Sequence, residues 1–187
     1  MSTDRHKQRF QDVVLPYLDD ALTLARWLSC NAADAEDIVQ EACIRAFRAL
    51  DTQQGGSPRA WLLAIVRNTA YSWLTKNRPK VLLVTSDDSV FEAAGHGAGQ
   101  DTMPLSPEAT LIARADIDQL HRQISSLPIA FRETLVLREI EELSYREISE
   151  LLSIPVGTVM SRLARARSLL AARMTQIPAE EKGKSVA

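Results

Sequence analysis

The sequence has few of the residues on which several classes of protein depend. Of its 187 residues, 5% are aromatic and 7 are glycine, a composition that disfavours sandwiches and barrels and favours helices. The formal net charge is −2, so any binding to a nucleic acid has to rest on local basic patches. Hydrophobic residues make up 45% of the chain, which is enough for the packed cores of one or two small domains.

Cysteine, histidine and long apolar runs are also scarce. Cys30 and Cys43 lie among helix-like apolar residues, so we expect buried, reduced thiols. His6, His96 and His121 show no ligand spacing with either cysteine. The chain has no phosphate-binding loop and no nucleophile elbow, so we expect no metal, no cofactor and no catalytic residue. No apolar run reaches membrane-spanning length and the N-terminus lacks a signal-peptide core, which predicts a cytoplasmic protein without membrane insertion.

Charge is segregated along the chain in the order basic, acidic, basic. Residues 57–80 and 155–174 contain lysine or arginine and no acidic residue, whereas residues 81–110 contain aspartate and glutamate and no basic residue. This pattern indicates two basic surfaces separated by an acidic segment.

Helical periodicity predicts two blocks of helices on either side of a loose middle. In the first block, helices are expected over 10–29, from Asn31 to about Leu50, and from Ser57 to about Asn77. Residues 81–105 are rich in Gly, Ser and Asp without a consistent period, which predicts a flexible acidic linker. The expected domains are therefore 8–79 and 106–175, joined by the linker 80–105 and followed by a tail, 176–187. The predicted fold class is all-α.

The second block begins at Ser106-Pro107 and ends in a pair of short helices around a tight break. Ser144 and Glu147 form a capping box for the first of the pair, and Pro155 suits the start of the second. On the second helix, one stripe is apolar and the neighbouring one carries hydroxyls and arginines. This arrangement is typical of a helix-turn-helix, although an ordinary helical hairpin with a solvated basic face has the same pattern.

Three stretches together resemble the extracytoplasmic function (ECF) sigma factors of bacterial RNA polymerase. Residues 34–47 resemble the helix that docks on the polymerase clamp, 57–70 the helix that melts and reads the −10 promoter element, and 143–167 the −35 reader. The resemblance covers residues 8 to 174. It implies that the first block is sigma region 2, that the second is region 4, and that the chain directs promoter-specific transcription initiation.

The resemblance implies three sets of site residues. Those expected to bind core polymerase are Asp37, Gln40, Glu41, Ile44 and Arg45. Those expected to bind the −10 element are Arg59, Arg67, Asn68, Lys76 and Arg78. Those expected to bind the −35 element are Val156, Gly157, Thr158, Ser161, Arg162 and Arg165. Their chemistry suits these roles, since arginine forks bind phosphates and base edges and an amide both donates and accepts.

The sequence departs from the family pattern at three positions. Met160 stands at a recognition-helix position that is often basic, Ser153 stands where the turn often has glycine, and Ser149 replaces a usual alanine at the helix crossing. The first departure puts one DNA contact in doubt, and the second predicts a slightly different turn.

The resemblance also implies partners, namely the clamp helices and flap of core RNA polymerase, promoter DNA and an anti-sigma factor. It implies a stress or envelope response. The linker length predicts that the two blocks lie close together in the free protein and separate on polymerase. The resemblance implies that the acidic segment 87–101 then threads through the enzyme.

Two other classes remain as alternatives. A stand-alone helix-turn-helix regulator explains residues 143–167 but not the two stretches of the first block. A helical-bundle metalloenzyme built from Glu36, Asp37 and Glu41 lacks the expected Glu-x-x-His pairs, and the nearest candidate is Asp118 with His121.

Overall fold

The described part of the protein is built from helices, as the sequence predicts. The computed structural model describes residues 2–53, 55–79 and 118–175. The helices are α1 (Ser2–Val14), α2 (Leu18–Ser29), α3 (Ala32–Ala49), α4 (Pro58–Asn77), α5 (118–125), α6 (Ile129–Glu139), α7 (Tyr145–Leu152) and α8 (Val156–Thr175), with 3₁₀ turns at Leu15–Tyr17 and Leu50–Thr52. The predicted linker, the predicted helix start at Ser106-Pro107 and the predicted tail lie outside the described residues.

The first helical stretch is interrupted where the sequence pattern predicted continuity. The chain forms α1 up to Val14, turns at Leu15–Tyr17 and continues as α2. The turn contains Pro16, which has no N–H to donate and whose ring clashes with the carbonyl four residues earlier. The prediction of one helix over 10–29 was therefore wrong, although its apolar residues Ala21 and Leu24 are fully buried.

Local caps set the remaining boundaries of the first half. The Asn31 side chain accepts a hydrogen bond from the Asp34 N–H at 3.0 Å and begins α3, as predicted. Ser57 accepts from the Ala60 N–H at 3.3 Å and begins α4. These caps fix where α3 and α4 start. The apolar stripes of α2, α3 and α4 face one another and form the core of this half. Their fully buried members include Leu28, Ile38, Leu62, Leu63, Val66 and Leu74.

The second half contains the predicted helix-turn-helix, formed by α7 and α8. The predicted capping box is present, because Ser144 accepts from the Glu147 N–H and Glu147 accepts from the Ser144 N–H at 2.8 Å. Ser153 has φ of 54°, so it adopts the left-handed conformation that glycine usually supplies at such a turn. The Ser149 hydroxyl donates to the Ile154 carbonyl at 2.6 Å, so this hydrogen bond links α7 to the turn and stabilises it. The two serines that depart from the family pattern are therefore both part of this turn.

The two halves pack against each other along a surface that we call the seam, where α2 and α4 meet α6 and α7. At one end of the seam the rings of Trp27 and His121 lie 4.8 Å apart, and Cys30 approaches the Ser125 carbonyl with its sulfur at 3.9 Å. The closeness of the halves agrees with the expectation for the free protein.

Candidate nucleic-acid interface

The surface of α8 is divided between packing and exposed polar groups. Val159, Leu163 and Ala166 are buried, so this stripe fixes the helix against α6 and α7. Ser161 and Arg165 are exposed and Thr158 is half-buried. The structure thus places three of the predicted −35 residues on one accessible side of the recognition helix.

The first turns of α8 also expose two apolar side chains and the backbone of one glycine. Val156 is 39% exposed and Met160 is 52% exposed, and a Cβ at Gly157 would meet nothing within 4 Å. Exposed apolar side chains in a major groove contact thymine methyl groups, and an open backbone allows close approach to DNA. Met160 therefore offers an apolar contact at a position where a basic residue is usual.

The accessible part of α4 carries the predicted −10 residues Asn68 and Lys76, which are both exposed. Arg78, at the end of the helix, is exposed and pairs with Asp34 at 2.9 Å. The Asn68 amide oxygen accepts a hydrogen bond from Arg67 at 3.3 Å. Asn68 is therefore presented to solvent at a defined orientation, while its neighbour Arg67 gives its other donors to Glu133 in the seam.

Arg67 and Arg162, from the predicted −10 and −35 sets, meet at one carboxylate in the seam. Glu133 of α6 is 1% exposed, and its Oε2 accepts from Arg67 Nε at 3.1 Å and from the Tyr71 hydroxyl at 2.8 Å. Its Oε1 accepts from Arg162 at 3.3 Å. Burial and the nearby Glu133 carboxylate raise the pKa of Tyr71, so the phenol stays a donor. We call Glu133, Arg67, Tyr71 and Arg162 the Glu133 cluster.

Arg59, a third predicted DNA contact, lies in a second ionic cluster of the seam. Its guanidinium pairs with Asp20 of α2 and with Glu141, which follows α6, and it also donates to the Glu141 carbonyl at 2.7 Å. Glu141 is 3% exposed. Burial and the Asp20 carboxylate raise the pKa of Glu141 to about 7, because a single arginine cannot compensate two carboxylates removed from water.

The five residues predicted to bind polymerase lie along the surface of α3. Asp37, Gln40, Ile44 and Arg45 are exposed, and Glu41 is half-buried. Arg45 donates to Glu41 at 2.8 Å across one helical turn. Ile44 is 43% exposed and borders a shallow apolar depression of about 430 Å³ with Phe10 and Phe47. A charged rim beside an apolar patch is the composition of a protein-binding surface.

The carboxylates of the seam were not predicted from the sequence. Asp20, Glu133 and Glu141 carry no motif, and each pairs with an arginine that is distant in the sequence, Glu133 and Glu141 with one in the other half. One signal was available in the segment 129–137, where Arg132 and Glu133 interrupt an otherwise apolar run. Buried charges in such a run require partners, but the sequence does not say which.

The described residues contain neither a metal-binding cluster nor a helix able to span a membrane. Within residues 2–53, 55–79 and 118–175 there is no group of three histidine, cysteine or acidic residues able to hold a metal ion. Over the same residues, no helix combines the length and apolar character needed to cross a bilayer. Cys30 and Cys43 are free and half-buried, and burial raises the pKa of Cys43.

Comparison with known proteins gives matches in sequence over most of the chain. The model of sigma-70 region 2 matches residues 13–80, and the model of sigma-70 region 4 matches residues 117–170. The RNA polymerase sigma-H factor of Pseudomonas aeruginosa is 38% identical over 167 residues, which are 88% of this chain and 85% of that protein. The ECF RNA polymerase sigma-E factor of Escherichia coli K12 is 38% identical over 143 residues, 74% of this chain and 73% of that protein.

Two solved structures share the fold. The sigma factor RpoE of Bartonella quintana, crystallised with the anti-sigma factor NepR, has a TM-score of 0.70 at 25% identity, covering 89% of this chain and 97% of that chain. CnrH, determined with the cytosolic domain of CnrY, has a TM-score of 0.58 at 23% identity, covering 89% of this chain and 87% of that chain.

Proposed function

The chain belongs to the ECF sigma factors of bacterial RNA polymerase, and from this premise we propose which of its surfaces perform each step of initiation. As a sigma factor it binds core polymerase and directs the enzyme to promoters. The matches to both sigma regions favour this function over the stand-alone regulator, which needs no polymerase-docking helix.

The exposed face of α3 is the proposed dock for core polymerase. Asp37, Gln40, Ile44 and Arg45 are accessible without any rearrangement of the two halves. Complementary charges on the polymerase clamp would surround the apolar contact made by Ile44, which is the usual anatomy of a specific interface. The flap of the polymerase is the expected partner of the second half.

Promoter recognition is assigned to α4 and α8. The observation that carries this assignment is the presence on α8 of a buried stripe beside exposed Ser161 and Arg165, at the N-terminal half of the second helix of a helix-turn-helix. That half of a recognition helix meets base edges in the major groove. On α4, the exposed Asn68 amide is suited to an unstacked base of the −10 element.

The remaining features of the proposal follow from the family. We assign no catalytic step and no cofactor to the chain itself, since the polymerase performs the chemistry, and we place the protein in the cytoplasm, where polymerase is found. The neighbour RpoE is bound by an anti-sigma factor, which supports an anti-sigma partner and a stress or envelope response for this chain as well.

Run-off transcription with core polymerase on a promoter library tests the proposal. We expect the full-length protein to select a set of promoters with shared −35 and −10 elements and to give no specific transcript without core enzyme. Tight, specific binding to a duplex promoter in the absence of polymerase would instead favour a conventional regulator.

A further inference from the structure

Two adjacent charged residues of α6, Arg132 and Glu133, are buried in the seam. Their exposed fractions are 3% and 1%, and charges are rarely buried this deeply unless they are paired. Each is paired across the seam. Arg132 donates to the Leu28 carbonyl at the end of α2 at 3.1 Å, and Glu133 accepts from α4. The helix α6 therefore fastens the second half of the protein to the first.

The partners of Glu133 are arginines assigned to opposite ends of the promoter. Arg67 belongs to the proposed −10 surface and Arg162 to the proposed −35 surface, and the carboxylate receives Arg67 at 3.1 and 3.4 Å and Arg162 at 3.3 Å. A carboxylate and a phosphate occupy the same guanidinium donors with similar geometry. Neither arginine can therefore give these donors to DNA while it is held by Glu133.

Tyr71 completes the cluster and orients Arg67. The Arg67 guanidinium lies 4.3 Å above the centre of the Tyr71 ring, and the phenol donates to the same Glu133 oxygen that accepts from Arg67 Nε. The ring thus helps to direct Arg67 towards Glu133, while the remaining terminal nitrogen of Arg67 donates to Asn68 at 3.3 Å.

We propose that Glu133 acts as an internal substitute for DNA phosphate, which withholds Arg67 and Arg162 from the promoter and keeps the two DNA-binding halves closed. The inference rests on the proposed function, since it requires these arginines to serve DNA. Closure and DNA binding then compete for the donors of Arg67, whose pair with Glu133 crosses the seam, while Glu133 holds Arg162 within the second half. The two equilibria are linked, so formation of the Glu133 cluster lowers the affinity for DNA. Bound DNA lowers the stability of the cluster by the same factor.

If the Glu133 cluster had only a structural role, a different result would be expected. Removing its charge would lower the stability of the protein without increasing its affinity for DNA. The proposed role predicts that removing the charge increases the affinity, because it releases two arginines. The direction of the change in DNA binding therefore separates the two explanations.

The test compares full-length wild type with Glu133→Gln, which removes the charge and keeps the shape. We expect a larger radius of gyration in small-angle X-ray scattering and binding to a short fluorescein-labelled duplex that is about fivefold tighter or more. Glu139→Gln is the matched control, since it makes the same charge change on the same helix but disrupts a pair within the second half, Glu139 with Arg167 at 2.5 Å. It should change neither quantity appreciably.

The proposal is overturned if Glu133→Gln stays as compact as wild type, or if it opens without binding the duplex more tightly than Glu139→Gln does. If circular dichroism shows that Glu133→Gln is unfolded, Glu133→Asp replaces it. This variant keeps the charge but shortens its reach, and we expect intermediate changes in both measurements, whereas wild-type values for both overturn the proposal. Failure of the sigma function itself would appear separately, as the absence of run-off transcripts from wild type.

Discussion

The proposed polymerase-docking surface and the proposed DNA-binding surface differ in how they are assembled. The docking surface lies on the single helix α3, and four of its five residues are exposed in the closed protein. The DNA-binding surface is divided between α4 and α8, and Arg59, Arg67 and Arg162 are engaged in ionic clusters of the seam. A surface on one helix is available whenever that helix is folded. Arg59 and Arg67, whose partners Glu141 and Glu133 lie in the other half, become fully available only after the halves separate.

This difference indicates an order of events. The closed protein can meet polymerase first, because docking needs no rearrangement, and can bind the promoter fully only when the seam has opened. The predicted linker, 80–105, is long enough for such a separation, but it lies outside the described part of the chain, as do the acidic residues 87–101 that were predicted to thread through polymerase. The following experiments test the two surfaces independently.

The largest effect is expected from reversing charge on the docking surface. Asp37→Arg combined with Glu41→Lys should abolish the binding of core polymerase, because opposed like charges at an interface cost several kcal/mol. A pull-down with core enzyme measures the loss, and circular dichroism checks that the helices remain. Asp12→Arg, at an exposed position of α1, is the control and should bind normally. Unchanged core affinity of the double variant would refute the assignment of α3.

The exposed arginine of α8 should have the next largest effect. We expect Arg165→Ala to weaken promoter-specific transcription by about 1–3 kcal/mol if the side chain reads a base with two hydrogen bonds. Arg173→Ala should matter less, since Arg173 lies in the last turn and donates to Ser126. Run-off assays on promoters with altered −35 elements make the measurement. Equal losses on every sequence would assign Arg165 to phosphate contact instead of base reading.

The exposed amide of α4 tests the melting step. Asn68→Ala should spare the closed promoter complex and impair the open complex, because its expected partner is a base that is exposed only after unpairing. Permanganate footprinting reports the unpaired thymines. A template with a pre-melted bubble should rescue the variant at least partly, and a complete failure of rescue would give Asn68 another role.

The smallest effect is expected from the protonation of Glu141 in the seam. Its pKa is raised to about 7 in the closed protein, above the ordinary value of 4.5. Its stabilising contribution is therefore complete below about pH 4.5 and is lost as the pH rises through about 7. The groups that face it are Asp20 of α2 and Arg59 of α4. The closed form should thus be more stable at pH 5.5 than at pH 8.

Glu141→Gln provides the comparison for this pH effect, because the amide resembles the protonated acid at every pH. Between pH 5.5 and pH 8 the free energy of unfolding should fall more in wild type than in the variant, by up to roughly 2 kcal/mol. Urea titrations of both proteins at the two pH values measure the difference. Identical pH dependence would show that Glu141 is ionised throughout this range.

Much of the local structure could be predicted from the sequence because its determinants are local. Asn31, Ser57 and Ser144 cap helices through hydrogen bonds that span three residues, and such contacts need no tertiary fold. The apolar stripe of α8 was likewise visible as periodicity. The break at Pro16 was missed, although it is also local, because the apolar spacing continues through it while the backbone cannot.

The sequence by itself determined the helices, their caps, the helix-turn-helix and the likeness to ECF sigma factors, because each of these depends on residues that are near one another along the chain. Only the tertiary structure decided which of the basic residues are accessible. Arg162 and Arg165 are three positions apart on one helix, yet Arg162 is held by Glu133 while Arg165 is exposed. That difference arises from a carboxylate on another helix, whose position follows from the packing of α6 against α8 within the second half.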